Sequence, residues 1–194
     1  MNLRSNKPFI ELDGEKVTRQ ILFASHKDRT ISFPNYLQAG YKPLTLALLV
    51  NGYYDNPDLR ESIKDYPGCG EYTSTLLVDG EEFVENPEIV FNPQTRLWEL
   101  KNGQSKKVEL PEDGVFRCFD VKTGLPSKTG RHVADEYSIL PPYFKREDRD
   151  VNSLQGVHTI IRFHGQYQPL VINVTHELNE SVPHIGARMM LSSV

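Results

Sequence analysis

Between Tyr72 and Glu180 the chain repeats one unit, a short run of alternating apolar and polar residues closed by a turn signal. Val108-Glu-Leu-Pro-Glu-Asp-Gly-Val115 is one copy, and Val157-His-Thr-Ile-Ile-Arg-Phe163 followed by Gly165 is another. Alternation of period two sends successive side chains to opposite faces of a sheet, so the stretch reads as antiparallel strands joined by tight connections. Three Asx-Gly pairs, Asp13-Gly14, Asp79-Gly80 and Asn102-Gly103, lie between apolar-containing runs and predict two-residue hairpins. Hairpins of this kind favour an antiparallel over a parallel sheet.

Two helices are expected between the first hairpin and the main sheet. Pro43 suits a first helical turn and Gly52 suits a left-handed end, which predicts a helix over 43–51. Asn56 before Pro57 is a cap and first-turn pair, and Leu59, Ile63 and Tyr66 recur on one face, so a second helix is predicted over 57–65. The expected fold class is therefore α+β, mainly β: an antiparallel sheet or sandwich built from hairpins, with two short helices. At 194 residues the chain is expected to form one domain, 1–194. The span 120–156 differs in character. It holds Gly124, Pro126, Gly130, Pro141-Pro142 and the charge run Lys145 to Asp150, and reads as a long loop or interaction arm within that domain.

Composition removes several function classes. A hydrophobic share of 38% with 25% charged residues lies far from the regime of disorder. A net charge of -4 disfavours a dedicated duplex-DNA binder, because phosphate binding relies on clustered Lys and Arg. The longest apolar run, Leu44 to Val50, falls well short of the roughly 20 residues that cross a bilayer, so no membrane partner is expected. Met1 to Pro8 carries charge with no apolar stretch behind it, so no secretory signal is expected and the two Asn-x-Ser/Thr patterns at Asn173 and Asn179 are read as chance. Cys69 and Cys118 do not form a disulfide framework. The expected location is cytoplasmic, or the virion if the chain is a particle subunit.

Four constellations bear on chemistry. Glu99-Leu-Lys101 on a predicted strand, with Asp79 upstream, has the form of the metal and lysine corner of PD-(D/E)xK nucleases, where acids hold a divalent cation and the lysine stabilises charge at the scissile phosphate. With 26 acids in 194 positions, chance alone yields roughly one or two acid-x-Lys triplets, and Asp120-Val-Lys122 is a second. The alternative that Glu99 and Lys101 form the solvent face of a hairpin stands beside it. His158, Arg162 and His164 share one face of the strand from Val157. A single metal cannot join the two histidines, because six residues of strand span roughly 20 Å. Arg162 with His164 are spaced to clamp an anion; polar residues on an open sheet face are the plainer reading.

Gly124-Leu-Pro-Ser-Lys-Thr-Gly130 fails as a phosphate loop, since Ser127 stands where a glycine is needed and no helix start follows. Aromatics from Phe116 to Tyr167 alternate with Arg and Lys as in single-stranded nucleic-acid binders, but intervening acids dilute the field, and core or interface filling accounts for them as well.

The favoured reading is a non-catalytic binding or structural protein, a subunit or assembly component of a larger viral or phage-like particle. It requires no cofactor and no metal, and its partners are other proteins or copies of itself. The arm supplies the contact, with Tyr143, Phe144, Lys145 and Arg146 as interface residues. The alternatives are a metal-dependent phosphodiesterase using Asp79, Glu99 and Lys101, and a single-stranded nucleic-acid-binding module.

Overall fold

The computed structural model describes residues 7–21, 42–66, 69–78, 82–107, 118–123, 125–127, 129–132, 154–161, 170–174 and 185–191. The fold is α+β and mainly β, with antiparallel and mixed sheets. The first hairpin forms where Asp13-Gly14 placed it. β1 (Phe9–Leu12) pairs antiparallel with β2 (Glu15–Thr18), Leu12 facing Glu15. Both turn residues have positive φ, 48° and 83°, as this tight turn demands.

α1 runs over Leu46–Asp55 and α2 over Pro57–Lys64. The first starts three residues later than the Pro43 signal suggests. Thr45 takes the cap, its hydroxyl accepting from the Leu48 amide at 3.1 Å, while Pro43 forms a bridge with Met189. Gly52 does not end the helix either. It is buried inside α1, where a Cβ would lie 2.6 Å from Leu59 Cδ2, so its lack of a side chain serves the packing of α1 on α2. Asn56 joins the helices, accepting at Oδ1 from the Leu59 amide at 3.1 Å and donating from Nδ2 to the Glu11 carbonyl at 3.0 Å. That second bond fixes the helix pair to β1.

The centre of the molecule is β3 (Gly70–Val78), buried along nearly its whole length. On one side it pairs with β9 (Leu154–Ile161), which pairs in turn with β10 (Leu170–Val174). The other side is shared. Antiparallel β4 (Glu82–Asn92) covers Thr75 to Val78, and parallel β11 (Ile185–Ala187) covers Gly70 to Tyr72. β4 continues into a long hairpin with β5 (Leu97–Lys107). A second sheet adds β12 (Met190–Leu191) to β2, giving the order β1-β2-β12.

Alternation along β3 divides the core. Leu77, with Phe83 opposite, joins Ile10, Leu12, Val17, Leu46, Leu49 and Leu59 under the helices. Tyr72 and Leu76 pack on the other face with Val84, Ala187 and Met189. Thr75 docks the helix start, its hydroxyl accepting from the Leu46 amide at 2.9 Å.

Asn102-Gly103 is not a turn. It lies within β5, and the hairpin closes at Pro93–Arg96 between Asn92 and Leu97. The Asn92 carboxamide oxygen accepts from Gln94 and Thr95 amides at 3.0 and 3.4 Å, and Arg96 adopts φ 58° to complete the reversal. Gly103 has a packing role, since a Cβ there would meet Val84 Cγ1 at 2.3 Å. Across from it β4 is bulged, with Asn86 at φ 49°. Asp79-Gly80 falls outside the described residues, although Val78 faces Glu82 across the connection it belongs to.

The start of the span 120–156 is ordered on a small sheet. β6 (Cys118–Phe119) lies between β7 (Pro126–Ser127) and β8 (Arg131–His132). Phe119 and Leu125 enter the core under the helices, and Phe119 stacks on Tyr54 at 5.2 Å. Residues 133–153 lie outside the described set, as do 108–117, which contain the Val108 to Val115 repeat. Cys118 is buried, Cys69 half-buried, and both are free.

Candidate functional site

The outer half of the β4–β5 hairpin brings the described site residues together. Glu99 and Lys101 share its exposed face, as alternation predicts. Each is engaged across the hairpin: Lys101 Nζ bonds the Glu88 carboxylate, and Glu99 accepts from Asn92 Nδ2 at 2.6 Å. The third residue of that corner, Asp79, lies outside the described residues. Among the described residues no group of three or more His, Cys, Asp and Glu is arranged to hold a metal. Arg162 and His164, the anion-binding pair, and the interface set Tyr143, Phe144, Lys145 and Arg146 also fall outside the described residues.

The opposite face of the hairpin is apolar. Ile89 and Leu100 pack against the second core cluster, and beyond them the rings of Phe91 and Trp98 meet edge to face, 5.3 Å apart at 61°. Farther out on this face Phe91 is 43% exposed, and on the other face, beside Glu99 and Asn92, Val90 is 47% and Leu97 62% exposed. Single exposed apolar residues are ordinary, but three on one hairpin end, split between its two faces, give that end apolar surface on both sides, of the kind that meets partners. Glu88, Glu99 and Lys101 share the face of Val90 and Leu97 and add charge of both signs to it.

A concave feature lies between the β1–β2 turn and α1. Glu11, Asp13, Asn51, Asp55, Asn56 and Val121 line a cleft of about 300 Å³. Asp55 is paired with Arg131, whose guanidinium also sits 5.4 Å over the Tyr54 ring. Burial pushes the Tyr54 phenol well above its ordinary value, and Tyr53 is raised by the same cause. Neither tyrosine is therefore a ready acid or base near neutral pH.

Sequence reasoning missed a buried junction. Arg188 is wholly buried and its Nε lies 3.0 Å from each Glu71 carboxylate oxygen. Its Nη1 donates to Ser62 Oγ at 2.8 Å and to the carbonyls of Thr18 and Arg19. Burial, which outweighs the neighbouring guanidinium, holds the Glu71 carboxyl above the usual carboxylate range. The available signal was Arg188 alone, a charge inside the apolar run Ile185 to Leu191, whereas Glu71 stands among polar and small residues.

No family model matches the chain, and neither a curated protein nor a solved structure shows significant similarity to it. Among the described residues no helix is long and apolar enough to cross a membrane.

Proposed function

We propose that this chain is a non-catalytic binding protein that works in a larger protein assembly and meets its neighbour through the outer half of the β4–β5 hairpin. The observation that carries the reading is that one hairpin end exposes large apolar side chains on both faces, Phe91 against Trp98 on one and Val90 and Leu97 on the other. Aromatic anchors ringed by polar groups supply most of the contact energy in protein interfaces. The phosphodiesterase reading gains nothing from the geometry, because Glu99 and Lys101 are bonded to Asn92 and Glu88.

Light scattering of the full chain over a concentration series tests the proposal. A mass that rises above the monomer with concentration supports assembly through copies of the chain. A strict monomer that also fails to bind any co-expressed protein removes it.

A further inference from the structure

We propose that Ile185–Leu191 is a clasp that docks and undocks as one unit. The inference is independent of the hairpin reading. Seven consecutive residues tie together parts of the chain that are distant in sequence. β11 lies against the start of β3, and β12 against β2. Between them the Thr18 amide donates to the Met189 carbonyl at 2.9 Å, the Met189 amide to Thr18 Oγ1 at 3.1 Å, and the Met190 amide to the Lys42 carbonyl at 2.7 Å.

Arg188, in the middle of the clasp, makes the motion all-or-none. Opening from Leu191 first breaks the β12 pairing and the Met190–Lys42 bond. The next step must carry a buried guanidinium away from Glu71, leaving a carboxylate alone in a low-dielectric site, and breaking such a pair from one side is strongly unfavourable. The alternative to a stranded charge is for water to reach the start of β3 as the clasp leaves. Partly opened states are therefore disfavoured and two arrangements remain, which is the requirement for a switching element.

The docked state is not overwhelmingly favoured. Arg188 Nη2 is buried and makes no hydrogen bond among the described residues, and burial disfavours the charged form of Glu71. Undocking leaves Gly70–Tyr72 without the strand that covers that edge, and an open sheet edge is a template for another strand.

Hydrogen exchange of the unmodified full chain, followed by NMR in sub-denaturing urea, tests the clasp. Thr18, Met189 and Met190 should show one shared opening, with protection equal within about threefold and at least about tenfold below that of Leu46, which reports the core. Unrelated rates at the three amides, or rates equal to that of Leu46, would overturn the proposal. Arg188→Met should speed exchange at all three together by about 100-fold, and Glu71→Leu added to it should restore protection. Acceleration confined to one amide would also overturn it. Should Arg188→Met not fold, the comparison within the unmodified chain decides the matter alone.

Discussion

The start of β3 and the outer half of the β4–β5 hairpin belong to one sheet and are held in opposite ways. At the start of β3 every neighbour is remote in sequence: Glu71 meets Arg188, Arg188 meets Thr18, Arg19 and Ser62, and β11 lies alongside. The hairpin end is held by local contacts, Asn92 with its own turn and with Glu99, and Glu88 with Lys101. One region buries a charge to hold the fold together. The other leaves large apolar side chains in water, a cost with no return in stability. The contrast separates residues that maintain the structure from those available for binding.

The contrast is broken most severely at the ion pair. Arg188→Met alone should cost about 3–5 kcal/mol, because it leaves Glu71 buried without its partner, whereas Glu71→Leu with Arg188→Met should be near neutral. Urea unfolding midpoints measure both; a mild single variant would mean that water already reaches Glu71. A smaller loss, about 1–3 kcal/mol, is expected for Gly103→Ala, where the new Cβ at this exposed position collides with the buried side chain of Val84. Removing the shared cap with Asn56→Ala should cost about 1 kcal/mol in the same assay.

The pH dependence sharpens the picture at Glu71. Folding raises this carboxyl, so the folded chain binds its proton more readily than the unfolded one. The group's contribution is then fully present below the ordinary glutamate value and is lost as pH rises through the folded value. Unfolding midpoints stepped upward from that range should show the native chain losing ground to Glu71→Gln, and a gap that widens in the native chain's favour would reverse the assignment. At the hairpin the effect should be smallest. Lys101→Ala, which removes an exposed ion pair, should change stability by less than about 0.5 kcal/mol.

Local chemistry was legible in the sequence wherever it determined the outcome. Asp13-Gly14 makes its turn because an Asx-Gly pair accepts two positive φ values at little cost, and Asn56-Pro57 starts α2 because its partners are three residues away. Asn102-Gly103 carried the same local signal and misled, because Val84 on the neighbouring strand, not the turn, requires the glycine. Pro43 misled for a similar reason, being drawn to Met189. β11 was beyond reach: three residues contain no alternation to read, and the pairing partner lies more than a hundred positions away. The acid-x-Lys spacing correctly placed Glu99 and Lys101 on one face, but spacing does not reveal that Asn92 and Glu88 occupy them. The apolar hairpin end was also visible as residue types, while its exposure depends on where the core stops.

The measurement that bears most directly on the account compares the full chain with a Phe91→Ser, Leu97→Ser variant by light scattering over one concentration series, with unfolding midpoints taken on the same samples. The account predicts that the native chain associates, that the variant remains a monomer at concentrations where the native chain does not, and that the two midpoints agree within about 1 kcal/mol. Equal masses at every concentration, or a variant that unfolds far more readily than the native chain, would contradict it.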